Sequence, residues 1–395
     1  MSSRNPLNFA LLLPFLLAAQ PMATDSYLPA LPAIANSLGS ASCSLTAFAL
    51  AFGFGQLPMG SLADRFGRRP VLLSGLAMYA AAALAGALAG NALALTASRV
   101  LQGFAMAAIL VCGRAAVRDL YPAADGPHVM ARGLAGLGAM ALISPIIGGY
   151  VSQYLGWRWV LVGMSLYALA LWLACWIGFA EPRRESLARV PVGDFREILA
   201  STEFRAWTLI SAASYSGVFC FLLLSPMLYI GRLGLSPGLY AWIPAGGSLL
   251  YIMSTIGCRQ LLRQQSVQRT VRQGAVMSLS GAVVQALGCW FFPTSAWPLI
   301  MGHGIYCLGH GIHQPCGQAG AASSLPHLAG RAVSWSGFTM MFSAFCMGQL
   351  AVAFVDPQYH WGAWPMVVPT LIVGAVLIAT AFLWLPKLQH PTPCG

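Results

Sequence analysis

Charge is what this chain has least of. Of its 395 residues only 8% are Asp, Glu, Lys or Arg and 58% are hydrophobic, where an ordinary soluble domain carries roughly 25% charged residues. That excludes a soluble globular domain and leaves a membrane protein. Acidic residues are the scarcest, ten against 21 basic ones, for a formal net charge of +11. The basic residues sit in short segments between apolar runs rather than along one amphipathic face. Orientation in a bilayer therefore explains them, and no nucleic-acid partner is expected. Cysteine is not scarce, at ten, but Cys112, Cys175, Cys220, Cys258, Cys289, Cys307, Cys316 and Cys346 fall inside the apolar runs. A small thiol packs there without a partner, so neither a disulfide framework nor a cysteine metal site is read from them. Arg4 and the run after it imitate a secretory leader, but the run continues through Tyr27-Leu28-Pro29. It is therefore expected to stay as a first span.

What the chain has is long apolar runs. About 20 residues cross the hydrocarbon core, and runs of that order lie near 8–34, 44–64, 71–90, 93–117, 129–153, 158–180, 206–231, 239–262, 272–292, 296–319, 330–354 and 363–386. The fold class expected is an all-α membrane protein of twelve transmembrane helices. Prolines inside runs (Pro14, Pro21, Pro145, Pro244, Pro315) are expected to kink helices rather than end them. Placing both termini in the cytoplasm puts Arg65, Arg68, Arg69, Arg118, Arg132, Arg183, Arg184, Arg189, Arg196, Arg259, Arg263, Arg269, Arg272, Arg331 and Lys387 at the inner face and leaves Arg158 and Arg232 outside. One segment breaks the pattern: charged residues crowd into 181–204. It reads as a cytoplasmic loop between an N-terminal six-helix half, 1–180, and a C-terminal half, 205–395.

The segment Gly60-Ser61-Leu62-Ala63-Asp64-Arg65-Phe66-Gly67-Arg68-Arg69-Pro70 is a tight charged turn between two runs. Glycines let the chain reverse, Asp64 can take up freed backbone amides or a guanidinium, and three arginines mark one membrane face. It resembles the loop signature of the major facilitator superfamily at every fixed position, which implies two pseudo-symmetric six-helix halves. An ordinary hairpin obeying the charge-orientation rule would explain the arginines but not Asp64 or the glycine spacing. The corresponding loop of the second half, Cys258 to Gly274, keeps four arginines and has no acid.

Mid-span charge costs about 2.5–3.5 kcal/mol per residue on insertion scales, so charged residues within spans are the default functional candidates. Asp25, in Thr24-Asp25-Ser26-Tyr27-Leu28-Pro29, is the one carboxylate well inside an expected span. Facing a polar cavity it would take up and release a proton; near the outer boundary it would instead cap backbone loosened by Pro29. Arg99 and Gln102 stand one helical turn apart and share a face. With Gly103 they resemble the superfamily's Arg-x-x-Gln-Gly signature, whose arginine is associated in proton-driven exporters with proton transfer. Asp119 can pair with Arg68 or Arg69, and Asp64, Arg65, Arg68, Arg69, Arg118 and Asp119 are expected to form a cytoplasmic gate. Ser144-Pro145-Ile146-Ile147-Gly148-Gly149 looks like an exporter-type signature with serine for its first glycine. Pro145, Gly148 and Gly149 are expected to bend that helix and pack it closely against the eighth span.

His303, His310 and His313 recur at offsets of seven and three along one helical face. They can relay protons, line a substrate path, bind a metal, or hydrogen-bond to neighbouring helices. No cluster elsewhere complements them, so no metal site is expected. Tyr27, Gln102, Tyr215, Phe219, His310 and His313 are candidates to line a substrate cavity. Trp157, Trp159, Trp361 and Trp364 fit an interfacial belt.

Taken with Arg114 to Asp119, these stretches look like the bicyclomycin/chloramphenicol-resistance (Bcr/CflA) branch of the superfamily. The resemblance implies a monomeric bacterial inner-membrane exporter, not an enzyme, exchanging a small amphiphilic substrate for protons. It would need no cofactor beyond the proton gradient, and its partners would be that substrate, protons and the lipid bilayer. Two alternatives stay open: an exporter of an endogenous metabolite such as a siderophore or amino acid, and a membrane-embedded metalloenzyme using the histidine face.

Overall fold

The computed structural model describes residues 6–39, 42–121, 125–181, 195–355 and 362–385. These fold into α1 (Pro6–Thr24), α2 (Leu31–Leu38), α3 (Ser42–Phe66), α4 (Arg68–Ala87), α5 (Ala92–Leu120), α6 (Gly126–Tyr154), α7 (Trp157–Gly178), α8 (Phe195–Ala200), α9 (Thr202–Pro226), α10 (Pro237–Tyr240), α11 (Trp242–Gln264), α12 (Val267–Phe291), α13 (Trp297–Ser323), α14 (Ala329–Ala353) and α15 (Trp364–Ala379). No strand occurs among the described residues. Each of the twelve apolar runs is helical, because a backbone in hydrocarbon must satisfy its own amides and carbonyls.

The first run is not one helix. α1 stops at Thr24, a 3-10 turn covers Leu28–Ala30, and α2 resumes at Leu31. Pro29 and Pro32 have no amide hydrogen to return to the carbonyls of Asp25 and Leu28, so the helical ladder opens where Asp25 and Tyr27 sit. The seventh and twelfth runs end in widened π turns, Met227–Arg232 and Thr380–Trp384. Eleven of the spans are long and apolar enough to cross a membrane on composition. The twelfth, α13, is 27 residues long but diluted by His303, His310, His313, Gln314 and Gln318.

Two compact units emerge from the internal contacts: Met1–Arg189 with Leu235–Ala245, and Val190–Gly234 with Gly246–Gly395. Inside the first, α1 packs on α5, α6 and α7, α4 on α5 and α7, and α3 on α5. Inside the second, α9 packs on α13, α14 and α15, and α12 on α13 and α15. The pairing order repeats: the first helix of a unit meets its fourth, fifth and sixth, and the third meets its fourth and sixth. Leu13, Leu16, Leu72, Leu76, Leu95 and Ile109 are fully enclosed in the first unit. Ile198, Phe204, Ile210, Val271, Ile312 and Leu377 belong to the second unit's core.

Candidate functional site

Arg99 is the largest wholly buried side chain in the described structure. Its Nη2 donates to the Ala23 carbonyl at 2.8 Å, and Nη1 donates to Gln102 Oε1. The guanidinium carbon lies 4.4 Å from the ring centres of both Tyr27 and Phe48, a geometry in which the ring quadrupoles help hold a desolvated cation. Tyr27 is itself enclosed and bonded through its hydroxyl to Ser44 Oγ at 2.8 Å, while Gln102 Nε2 meets Met164 Sδ at 3.6 Å. Among the described residues Arg99 Nε has no hydrogen-bond partner. Among the described residues no carboxylate forms an ion pair with Arg99.

Asp25 sits at the break after α1, two residues beyond the carbonyl that Arg99 holds. It is half-buried and accepts from Thr24 Oγ1 at 2.7 Å; its amide donates to the Pro21 carbonyl at 2.8 Å. Arg99, Tyr27 and Gln102, expected to face a cavity near Asp25, are all buried in the described structure. All three are sealed, because the broken end of α1 lays a carbonyl and a tyrosine ring directly on the guanidinium.

The Pro145 motif makes the contact that seats this break. Ser144 Oγ donates to the Pro21 carbonyl at 3.1 Å. A Cβ on Gly148 would run into the backbone of Ser26, and one on Gly149 would come 2.6 Å from Ala241 Cβ and 2.7 Å from the Pro237 carbonyl. Gln153 Oε1 accepts from the Gly238 amide at 3.0 Å. The small residues of α6 thus let two backbones approach, one of them at the start of the eighth span; α6 runs unbroken through Pro145.

At the α3–α4 turn, Arg68 is buried and bridges Asp64 at 2.6 Å and Asp119 at 2.8 Å. The motif reading missed Glu181. Its Oε1 and Oε2 accept from the amides of Arg68 and Arg69 at 2.7 and 2.8 Å, so a carboxylate from beyond α7 caps the positive end of α4. Gly67, at φ 104°, forms the floor of this nest: a Cβ there would lie 2.8 Å from Glu181 Oε1. Arg69 donates to the Trp176 carbonyl at 2.8 Å and stacks on its ring, and Arg65 lies over Phe66. The side chain of Arg118 lies outside the described residues. Every described member belongs to the first unit, so the geometry makes the cluster a fastening of α3, α4, α5 and α7. Only the position of Glu181, just past an apolar run, hinted at its part.

In the second unit the three histidines separate by neighbour. His303 stacks on Phe221 at 3.4 Å and approaches Cys307 Sγ. His310 and His313 turn to Ser214, their Nδ1 atoms 2.9 and 3.3 Å from its Oγ. The side chains of His310, His313 and Phe219 are enclosed and Tyr215 is half-buried. Cys258 and Cys316 bring their sulfurs to 3.7 Å, a contact the spacing did not reveal. Trp157, expected in an interfacial belt, is buried under Arg158, whereas Trp159 is exposed; Trp361 lies outside the described residues. No group of three or more His, Cys, Asp or Glu able to hold a metal occurs among the described residues.

A Major Facilitator Superfamily profile matches residues 15–349. The chain belongs to that family. It is a multi-pass membrane transporter of small molecules and not an enzyme, which removes the metalloenzyme reading of the histidine face. Among curated proteins it is similar to a chloramphenicol resistance protein of Pseudomonas aeruginosa, 29% identical over 93% of this chain and 88% of that one. It is also similar to Multidrug resistance protein D of Escherichia coli, 24% identical over 99% of each. A bicyclomycin resistance protein homolog of Haemophilus influenzae is 26% identical over 87% of this chain and 89% of that one. These names agree with the Bcr/CflA branch that the motifs resemble. Of solved structures, a D-xylose-proton symporter matches with TM-score 0.75 at 13% identity, over 96% of this chain and 98% of that one. At that identity the likeness shows the fold alone.

Proposed function

We propose that this transporter exports small amphiphilic compounds across the bacterial inner membrane in exchange for protons, by alternating access, with both termini in the cytoplasm. The observation that carries the reading is Arg99: a guanidinium wholly enclosed, held by neutral oxygens and two aromatic rings, beside the loop that carries Asp25. A buried cation with no paired acid is costly unless another state supplies the acid or an anion. In the proposed cycle Asp25 takes a proton when open to the periplasm and releases substrate. Open to the cytoplasm, it gives the proton up and pairs with Arg99 as substrate binds. Each proton moved inward gains about 2.3 kcal/mol per 100 mV of membrane potential. The relatives named for chloramphenicol, bicyclomycin and multidrug resistance support drugs as the substrate class.

The test is proton-gradient-driven chloramphenicol transport by proteoliposomes holding the unmodified protein or Asp25→Asn. Driven transport by the first and none by the second is the expected result. Equal transport by both would remove Asp25 from the cycle, and dependence on sodium instead of protons would remove the coupling ion.

A further inference from the structure

From Phe204 to Val355 the sequence contains no Asp or Glu. Within that stretch of the second unit, a titrating group must therefore be something other than a carboxylate. His310 and His313 share one hydroxyl there, and the donors and acceptors around it admit a single neutral arrangement. His313 Nε2 lies 3.3 Å from the Val271 carbonyl, which only accepts, so Nε2 carries the hydrogen and Nδ1 of the neutral ring is bare. Bare Nδ1 needs a donor, and Ser214 Oγ at 3.3 Å supplies its one hydrogen. With that hydrogen committed, Ser214 can only accept from His310, whose Nδ1 stands 2.9 Å away. His310 Nδ1 is therefore the N–H, and His310 Nε2 is the basic nitrogen. The chain has one direction: His310 to Ser214 to His313 to the Val271 carbonyl.

We infer that the His310–Ser214–His313 chain is a second proton-binding site, in which one added proton is shared between two imidazoles through a serine hydroxyl. The step balances without any redox change. A proton bonds to His310 Nε2; the Nδ1 hydrogen passes to Ser214 Oγ as the serine's own hydrogen passes to His313 Nδ1. His310 is left neutral with its hydrogen on Nε2, and His313 becomes the imidazolium. The groups facing the pair are Tyr215 on α9 and Tyr251 on α11, with ring centres 6.2 and 5.2 Å from His310. On α13 itself are His303 and Tyr306, whose hydroxyl donates to the Ser214 carbonyl at 3.2 Å. Because Ser214 is on α9 and both histidines are on α13, moving the proton reverses the two hydrogen bonds that join those helices, while His313 Nε2 goes on donating to the Val271 carbonyl on α12. The use of this site in transport rests on the proton-coupled reading above; its existence does not.

The test is nitrogen NMR of the full-length protein, carrying 15N-labelled histidine, in lipid nanodiscs. Expected are an Nδ1–H tautomer for His310, an Nε2–H tautomer for His313, and uptake of a first proton by the two rings together as pH falls. In Ser214→Ala the rings should titrate separately; Ser214→Thr, which keeps the hydroxyl, should restore the joint step. The same tautomer on both rings, or spectra unmoved by Ser214→Ala, would overturn the inference. In proteoliposomes, proton-driven chloramphenicol transport should fall to the level of empty vesicles in Ser214→Ala and return in Ser214→Thr. No chloramphenicol transport by the unmodified protein would overturn the exporter reading, while the NMR result would still decide the proton site.

Discussion

The two units solve one packing problem and two different electrostatic ones. In each, the fourth helix is packed against the first and third, and the third helix is tied to the sixth by an arginine in its first turns. Arg69 holds the Trp176 carbonyl and ring; Arg272 holds the Ala381 carbonyl at 3.3 Å and lies over Phe382. This joint depends on geometry alone, and it is present twice. Charge is handled differently. The first unit's fourth helix, α5, buries a permanent cation, and its α3–α4 turn gathers Asp64, Asp119 and Glu181. The second unit's fourth helix, α13, buries imidazoles that can be neutral, and its α11–α12 turn is closed by Gln265 Nε2 donating to Thr270 and Gln273 at 3.1 and 2.7 Å. Repetition has kept the contacts between helices and let the ionisable groups diverge, so the fourth helix buries a permanent cation in one unit and imidazoles in the other.

The sharpest way to break that contrast is Arg99→Met. Proton-driven transport should fall to background. The protein should nonetheless unfold at a higher temperature in detergent, because replacing a buried charge by an apolar side chain of similar length stabilises by about 1–4 kcal/mol where the site repacks. A variant that lost both transport and stability would mean that the cation is a structural necessity. Next is Asp119→Ala, which leaves buried Arg68 with Asp64 alone and should destabilise by about 2–3 kcal/mol, read as a lower midpoint of thermal unfolding. Gln265→Ala, its counterpart in the second unit, should cost about 1 kcal/mol; equal losses would erase the difference between the two turns.

Gly148→Ala tests the seat of the α1 break. The added carbon meets the Ser26 backbone, and about 1–3 kcal/mol of overpacking is expected, lowering the melt, whereas Gly163→Ala, inside α7 and meeting open space, should raise it, stabilising by about 0.5–1 kcal/mol through helix propensity. The smallest effect belongs to the repeated joint. Arg69→Gln and Arg272→Gln should each cost about 0.5–1 kcal/mol. Equal shifts would support a true structural repeat.

How much of this could be read beforehand depends on the range of the interaction. Twelve spans, the α3–α4 turn and the Arg99–Gln102 pair were legible because each rests on neighbours a few residues apart: an apolar run of the right length, a glycine-flanked turn, an i,i+3 spacing. The break in the first span was within reach, since Pro29 and Pro32 announce it. Glu181 as the cap of α4 was not, because the amides it binds are more than 110 residues away. Nor was the meeting of Cys258 with Cys316, or of Ser214 with two histidines almost a hundred residues on.

By itself, then, the sequence determined that this chain lives in a bilayer as a bundle of helices, since hydrocarbon forces every apolar run to satisfy its own backbone locally. It also determined which few ionisable groups are buried, because so few are present. Tertiary structure alone decided what each of them faces. Arg99 was given rings and carbonyls instead of an acid, and a single serine was set between two imidazoles. Such choices are made by helices packing from distant parts of the chain, and no local pattern encodes the partner that a polar group will find.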